Sequence, residues 1–321
     1  MTLAMVSKIV FAETEAHGEI VIRKCNSVKI ESSWEMLTDT ATIVLPRNVR
    51  DFDKLNVKQI FKKGDPIEIY LGYDENLLLE FTGFIREVSA DIPIKIKCDD
   101  YMYLLKKHTV NVSMRSTKLS DLIKLIVPEG IEVDVADINI GTKRFPNTTA
   151  AKILEELQEN NIYSYFKGKK LIVGKIYSDD VAEVVIFNFS KNVVDNNLQY
   201  KNKEDVIIKI IATSTLPKGR KLKAEFGDDF GQEQHLSYYN ITLKAELLKL
   251  AKADYDKYKV EGFDGNITGF GIPSVAHGMK AQIISYQYPD RKGLYYVKKV
   301  TKEFDESPKY RQTIELDKKA E

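Results

Sequence analysis

The residues whose side chains could carry chemistry are few and lie far apart in the sequence. The imidazoles and thiols are those of His17, His108, His235, His277, Cys25 and Cys98. A zinc site usually has paired ligands a few residues apart, and no histidine here has a cysteine or an acid at such a spacing. We interpret the histidines as surface or loop residues and the cysteines as small apolar residues of a β-core. The sequence therefore predicts no metal site and no cofactor site.

Adjacent acids are the next candidates for catalysis. They occur as Asp99 with Asp100, Glu155 with Glu156, Asp179 with Asp180, and Asp228 with Asp229. A glycoside hydrolase needs two carboxylates roughly 5 to 10 Å apart across a cleft, whereas neighbouring side chains on a strand point to opposite faces. The first pair begins a predicted helix, where acids are stabilising, and the second lies on the solvated side of another helix. We predict no catalytic residue.

A glycine-rich segment at residues 262–271 superficially looks like a phosphate-binding loop. A P-loop follows a strand, contains Gly-Lys-Ser or Gly-Lys-Thr, and opens a helix. This segment follows a predicted helix, lacks the lysine and leads into strands. We interpret it as a connector.

The charge balance limits the class of partner. The chain has 48 Lys and Arg against 47 Asp and Glu, a net charge of +1. Such a chain has no overall attraction to nucleic acid or anionic lipid, although a local patch remains open. Short lysine groups, which we interpret as solvated faces, lie at residues 62–63, 106–107, 167–170, 218–223 and 318–319.

Length and composition predict a soluble protein of several domains. The 321 residues exceed the usual span of one hydrophobic core, and 43% hydrophobic with 30% charged residues is an ordinary globular composition. No run reaches the ~20 consecutive apolar residues of a membrane span, and the first residues lack the blocks of a signal peptide. Two cysteines fit synthesis in a reducing compartment. We expect synthesis in the cytoplasm and no membrane insertion.

The first 98 residues are predicted to be nearly all strand. Ala41, Ile43 and Leu45 fall on one face of a strand because successive side chains alternate. Residues 77–88 form a longer run that we expect to bend at Gly83. Short strands separated by turns, with no helix long enough for a crossover, favour a small antiparallel barrel or sandwich.

The middle of the chain has helical patterns. Two sets of apolar residues have the spacing of one helix face: Leu119, Leu122, Ile123 and Ile126, then Ala150, Ile153, Leu154 and Leu157. Ser116 or Thr117 is expected to cap the first helix, and Thr148 or Thr149 the second. A short helix over residues 99–107 precedes them, and a hairpin over residues 162–174 follows.

Strands return from about Asn188. The predicted elements are a hairpin of residues 205–213 and 221–226, a strand at 234–242, a helix at 244–260, and strands at 279–286, 294–304 and 310–316. The helix interrupts the strands, so this second β-domain is discontinuous in sequence. No strict internal repeat is visible, but the two ends of the chain share an architecture.

These patterns predict an α+β fold that is mainly β, with two small antiparallel β-barrel-like domains and a helix-and-hairpin domain between them. The expected boundaries are 1–98 for the first, tube-like barrel, 99–190 for the middle domain, and 191–321 for the second tube-like barrel, interrupted by the helix at 244–260.

This layout resembles the phage tail baseplate hub family, also known as late control gene D proteins. The segments that carry the resemblance are residues 31–47, 61–73, 80–85, 96–105, 150–174, 245–260, 261–273, 293–304 and 310–316. In the last part a helix gives way to Glu-Gly-Phe-Asp-Gly-Asn-Ile-Thr-Gly-Phe-Gly-Ile-Pro, and Tyr-Arg-Gln-Thr-Ile-Glu-Leu follows near the end. These are matches of pattern and order, without a catalytic signature.

The resemblance implies a structural role in a virion tail made by a phage or prophage in a bacterial host. Hub proteins of this kind form homotrimers in which each subunit offers two similar β-barrels to a ring. Six near-equivalent positions then match a sixfold tail tube, or a distal tail protein, on one side and a threefold central spike on the other. DNA would pass through the lumen without specific binding, past acidic or neutral side chains. No lytic domain or spike is expected to be fused to the chain.

Two alternatives from other classes remain. One is a wall-degrading hydrolase of the baseplate, which would depend on a carboxylate pair. The other is a β-barrel module that binds carbohydrate or single-stranded nucleic acid through exposed aromatic side chains.

Overall fold

The computed structural model of the chain describes residues 4–15, 17–46, 61–90, 92–177, 182–216, 220–239, 241–289, 292–307 and 309–320. Within these ranges it has twenty-one strands and four α-helices. The predicted class, α+β and mainly β, is confirmed. Across the described ranges, no helix is long and apolar enough to span a bilayer.

Seven strands form what we call the first β-module. They are β1 (Met5–Phe11), β2 (Ile20–Ile22), β3 (Ser27–Ser33), β4 (Thr40–Val44), β5 (Pro66–Tyr73), β6 (Asn76–Val88) and β7 (Lys95–Asp99). The alternating residues Ala41, Ile43 and Leu45 are buried, as predicted. The pairing of β6 shifts register at Glu80 and again at Arg86, so its irregularities are β-bulges at these residues and not at Gly83.

The middle unit contains three helices and five strands. They are α1 (Met102–Lys107), β8 (Thr109–Lys118), α2 (Leu119–Ile126), β9 (Glu132–Val135), β10 (Asn139–Thr149), α3 (Ala150–Gln158), β11 (Ser164–Lys167) and β12 (Lys170–Val173). The apolar faces predicted for α2 and α3 are buried in one core. Thr149 caps α3 and accepts a hydrogen bond from the Lys152 amide at 3.3 Å. Of the two caps predicted for this helix, Thr148 and Thr149, the second is confirmed. The cap predicted for α2 is wrong, because Ser116 and Thr117 lie in β8 and the helix begins after Lys118.

Six strands near the end of the chain form the second β-module. They are β13 (Val184–Asn188), β14 (Val193–Lys201), β18 (Gly262–Phe270), β19 (Lys280–Ile284), β20 (Gly293–Asp305) and β21 (Lys309–Lys319). Their inward side chains, including Phe187, Ile267, Val297 and Ile314, form a core of their own.

An inserted unit separates β14 from β18 in the chain. It follows a short 3-10 turn at Lys203–Asp205 and consists of β15 (Ile208–Thr215), β16 (Lys221–Gly227), β17 (Gln232–Tyr239) and α4 (Lys244–Tyr258). Its small sheet has the order β16-β15-β17, and Leu247 and Ala251 of α4 are buried in its core. The interruption of the second β-module therefore includes three strands as well as the expected helix.

The glycine-rich segment is a strand, and its interpretation as a connector was wrong. Residues 262–270 form β18, which lies between β14 and β21 with antiparallel pairing on both sides. Gly265 has a φ of +121°, and a Cβ there would lie 2.1 Å from the carbonyl oxygen of Asn197 on β14. A glycine is needed at this position because only a residue without a Cβ permits so close an approach in this conformation.

The two β-modules repeat one strand order. In the first, the neighbours run β1-β5-β6-β7-β4-β3, and in the second they run β13-β19-β20-β21-β18-β14. Strand β2 lies beyond β1 at the end of the sheet and has no counterpart among the described strands of the second module. With β2 left out and the strands of each module numbered in chain order, both modules have the order 1-4-5-6-3-2. Four of the five pairings are antiparallel in both modules, and the exception is β13 with β19, which is parallel where β1 with β5 is antiparallel. The shared architecture expected from the sequence is thus an internal repeat of topology.

The modules are also joined. Strand β3 pairs with β20, so both belong to one sheet of thirteen strands, and no sheet formed by the described residues closes into a barrel. The division into three domains at the expected boundaries stays a prediction.

Candidate functional site

The two β-modules meet along the seam, which we define as the antiparallel pairing of β3 with β20. The register runs from Lys299 opposite Ser33 to Asp305 opposite Ser27. Ser33 Oγ also donates a hydrogen bond to the carbonyl oxygen of Lys298 at 3.0 Å. Backbone bonds therefore cross the seam as they cross each module, and they fix the orientation of one module relative to the other.

A buried ion pair lies beside the seam. Glu80 occupies the first bulge of β6, and a bulge turns its extra residue away from the regular alternation. Its carboxylate binds Lys302 Nζ of β20, with side chains only 2% and 8% exposed. Ser274 Oγ and Tyr310 Oη each donate a further hydrogen bond to this carboxylate at 2.9 Å. One carboxylate from the first module is thus bound entirely by groups of the second.

Burial of this ion pair affects the pKa values of the groups around it. Burial lowers the pKa of Lys302, and the charge of Glu80 opposes that change. Burial, together with the neighbouring Glu80 charge, raises the pKa of Tyr310, so its hydroxyl stays a donor. A charge pair in such surroundings is maintained only while every partner is present.

A second polar cluster joins three parts of the fold. The Asp39 amide donates to Asp100 Oδ2 at 3.1 Å, and the Asp100 amide donates to the Asp39 carbonyl at 3.0 Å. His277, from the loop between β18 and β19, places Nε2 4.0 Å from Asp39 Oδ2. Its ring meets Tyr165 of β11 edge to face, with centroids 4.8 Å apart. The cluster therefore ties the first module to the second module and to the middle unit.

Burial sets the protonation of this cluster. It raises the pKa of Asp39 to about 7 and, together with repulsion from Asp39, raises the pKa of Asp100 well above its usual range. Burial lowers the pKa of His277 to about 4, so the imidazole is neutral at pH 7. The cluster carries less charge than its composition implies, because each group is most stable in its neutral form.

The arrangement is better suited to holding the chain together than to catalysis. Both carboxyl groups of the cluster accept backbone hydrogen bonds, from the amides of Ser33 and Met102. The cavity beside them, which Glu80 and Phe166 also line, has a volume of 210 Å³. This volume is below the about 300 to 1,000 Å³ that is usual for ligand pockets.

A larger surface cavity opens where the β5–β6 turn meets the second module. Its volume is 730 Å³, and its walls include Tyr73, Asp74, Phe270, Ile272 and Arg311. Tyr73 Oη donates to the carbonyl oxygen of Tyr310 at 3.0 Å, which ties the end of this turn to β21. The guanidinium of Arg311 lies 4.7 Å from the centre of the Phe270 ring. The turn of one module thus rests on the strand ends of the other.

Of the histidines and cysteines singled out from the sequence, both cysteines lie in the core of the first β-module. Cys25 and Cys98 are buried, as expected, and burial raises the pKa of both thiols. His277 lies in a loop, one of the two places expected for the histidines, and its side chain there is only 6% exposed. No cluster of three His, Cys, Asp or Glu that could hold a metal is found among the residues that the structure describes.

The acid pairs have structural partners. Asp99 lies in β7, where it binds Arg86 at 3.0 Å and Lys106 at 2.7 Å, so only Asp100 acts at the start of α1. Asp228 is bound by Lys259 at 2.7 Å. Glu155 and Glu156 are exposed on α3, and the pair at residues 179–180 lies outside the described residues.

Neither the seam nor the ion pair beside it was predicted from the sequence. A signal for the ion pair was present, because alternation from Val300 to Phe304 places Lys302 on the apolar face of β20. Glu80 likewise stands alone among apolar residues in Leu-Leu-Leu-Glu-Phe. A charged side chain at an inward position is rarely buried without a partner of opposite charge. Lys302 therefore predicts a buried acid, and Glu80 predicts a buried base.

Solved structures similar to this chain include two tail proteins and one chain of a complex that contains VgrG. A tail protein from Neisseria meningitidis MC58 has a TM-score of 0.65 at 13% identity, over 99% of this chain and 97% of that one. The 43 kDa tail protein of prophage MuSo2 from Shewanella oneidensis has a TM-score of 0.61 at 14% identity, over 97% and 98%. A chain of the Francisella PdpA–VgrG complex has a TM-score of 0.57 at 12% identity, over 99% of this chain and 58% of that one.

At these identities the likeness concerns the fold. The chain has the fold of phage and prophage tail proteins, over nearly its whole length. No family model and no curated protein matches the sequence.

Proposed function

We propose that this chain is a structural baseplate hub of a phage tail or a related contractile injection machine, of the late control gene D type. In this proposal three copies form a pseudo-sixfold ring that joins the tail tube, or a distal tail protein, to the central spike. The observation that carries the proposal is the repeated strand order of the two β-modules.

A repeated module solves a problem of symmetry. Three chains with two similar modules each present six similar positions around one axis. A sixfold partner can contact all six, while a threefold partner contacts the three identical chains, so one ring serves both. A chain with a single such module would offer only three positions.

Transmission of force requires the two modules to move together. The seam provides this rigidity because backbone hydrogen bonds cross it, and the Glu80–Lys302 pair and the Asp39 cluster add buried contacts beside it. Separating the modules would break the backbone pairing of the seam and the bonds that Lys302, Ser274 and Tyr310 make to the Glu80 carboxylate.

The similar structures support a place in a virion tail. Two are named as tail proteins, and one belongs to a complex of VgrG with PdpA, which supports assembly with other chains such as a spike protein. The net charge of +1 is consistent with DNA passing the lumen without specific binding.

We assign no enzymatic activity. The buried carboxyl groups bind backbone amides, and the cavity beside them is smaller than most ligand pockets. The proposal therefore includes no catalytic, cofactor or metal residue.

The mass of the full chain in solution tests the proposal. Sedimentation at rising concentration is expected to give a species with three times the mass of one chain. A strict monomer at every concentration, both alone and with purified tube and spike proteins, contradicts a trimeric hub.

A further inference from the structure

Strand β14 ends the thirteen-stranded sheet. It pairs with β18 on one side over Val193–Lys201, and within the described ranges no strand pairs with its other side. Asp195, Asn196 and Asn197 are exposed. A strand of this length at a sheet edge presents a row of backbone donors and acceptors to any strand that fits.

The edge has little protection against pairing. Proteins block such edges with proline, lysine, β-bulges, short strands or a covering element. β14 is nine residues long and has no proline; its one bulge, at Val194, is near its start, and its only lysine, Lys201, is at its end. An edge left open in this way is a site for strand addition.

The internal repeat indicates which strand would be added. In the first β-module the position of β14 is occupied by β3, and β3 is covered by β20 of the second module. Position for position, β20 corresponds to β6. By this correspondence, the strand missing beside β14 is β6. The β6 of the same chain is already in the sheet, seven strands away from β14, so the missing strand would come from a second copy.

Strand β6 has room at the corresponding place. β20 pairs with β19 over residues 293–296 and then with β3 over residues 299–305 on the same side. β6 pairs with β5 up to Phe84, and the Ile85 amide bonds the Asp65 carbonyl. Beyond that point, Arg86–Val88 have no neighbour on the β5 side among the strands that the structure describes.

A turn with exposed aromatic residues gives independent support. Within one chain, the β5–β6 turn of the first module rests against Phe270 and Arg311 of the second. The β19–β20 turn is its counterpart, and there Tyr286 and Tyr288 are 63% and 50% exposed. Tyrosine is enriched at protein interfaces because it combines apolar area with a polar end.

We propose that β14 of one copy pairs with the C-terminal end of β6 in a second copy of this chain, so that the seam is repeated between chains. Such a contact is head to tail, and it closes into a ring when the rotation permits. The proposal rests on the trimeric ring proposed above, and it specifies the surface that closes that ring.

Disulfide cross-linking of the full chain tests this pairing. In the seam Lys299 lies opposite Ser33, and the repeat gives Glu87 the position of Lys299 and Lys201 the position of Ser33. Glu87→Cys is therefore combined in turn with Tyr200→Cys, Lys201→Cys and Asn202→Cys, because a shift of one residue moves a side chain to the other face. A disulfide requires Cβ atoms within about 4.5 Å. The matched control combines Glu87→Cys with Leu125→Cys, an exposed position on α2. The native cysteines are buried and stay out of the reaction.

At least one of the three pairs is expected to give covalent dimers and trimers on oxidation, while the control gives none. A trimer by sedimentation that cross-links at no pair, or no better than the control, overturns the assignment of β14 and leaves the hub proposal intact. A strict monomer overturns both.

Discussion

Glu80 on β6 and Lys302 on β20 form a buried ion pair between the two β-modules, although 222 residues separate them in sequence. The carboxylate also accepts hydrogen bonds from Ser274 and Tyr310, and both donors belong to the second module. The pair is therefore a fixed contact between the halves of the chain, beside the backbone pairing of β3 with β20.

Removing one partner of this pair is expected to destabilise the protein strongly. Lys302→Met leaves the Glu80 carboxylate buried without its cation, which costs about 3–5 kcal/mol. Urea unfolding of the full chain measures the change. The double variant Glu80→Met with Lys302→Met is expected to recover much of the loss, because no buried charge then remains unpaired.

A surface pair provides the control. Lys29 lies 3.3 Å from Glu31, and its side chain is 49% exposed. Lys29→Met is expected to cost less than ~1 kcal/mol because water screens exposed pairs. Equal losses for Lys302→Met and Lys29→Met would contradict the role assigned to the buried pair.

The Asp39 cluster predicts a dependence of stability on pH. The folded-state pKa of Asp39 is about 7, above its ordinary value of 3.8, so the folded protein holds a proton that the unfolded chain releases in this interval. The free energy of unfolding should therefore fall as pH rises from about 4 to about 7, by up to ~1.4 kcal/mol per pH unit from this group.

The variant Asp39→Asn removes this contribution, together with the part of the raised Asp100 pKa that repulsion from Asp39 causes, and both changes make the slope less steep. Asp100, whose pKa is also raised, adds a slope of the same sign, and His277 opposes both, because its lowered pKa destabilises the fold as pH falls below 6.5 towards 4. Subtracting the unfolding free energies of the variant from those of the wild type cancels contributions that are the same in both proteins. Unfolding curves from pH 4 to 8 that keep the same slope in both proteins would refute the assignment.

Local patterns were predictable from the sequence, and long-range pairings were not. The buried faces of α2 and α3 follow from residues three and four apart, and the cap at Thr149 lies within one turn of its partner. The seam joins residues far apart in the chain, and alternation within β3 or β20 does not identify a partner strand. β10 was missed because it contains Gly141 and Pro146, which signal turns, and its pairing with β8 shifts register near both.

The same limit applies to the site. Glycines at residues 262–271 indicated a connector, but in β18 they permit close approach of β14. The acid pair at Asp99 and Asp100 indicated a helix start, whereas Asp39, distant in sequence, is the residue that shares a cluster with Asp100. Contacts of this kind depend on the tertiary fold, which periodicity does not specify.

Gly83 is expected to be intolerant of a side chain. A Cβ at this position would lie 2.2 Å from the carbonyl oxygen of Asp99, so Gly83→Ala must push β6 away from β7. We expect a loss of about 3 kcal/mol in unfolding free energy. Gly18→Ala is the control, because no atom lies within 4 Å of the added Cβ. Similar small losses for the two variants would contradict the close approach.

The cap of α3 gives a smaller effect. Thr149→Ala removes the acceptor of the Lys152 amide and should cost about 1 kcal/mol. Thermal and urea unfolding measure it, with Thr148→Ala as the matched control from the preceding position. The structure assigns the cap to Thr149, so a larger loss at Thr148 would reverse the assignment.

Electron microscopy of the purified full chain, reconstructed without imposed symmetry, tests most directly whether repeated modules let three copies occupy six positions. We predict a ring of three chains in which both modules of every chain surround one channel at similar radius. A ring with a different number of chains, or one in which a single module of each chain surrounds the channel, would contradict it.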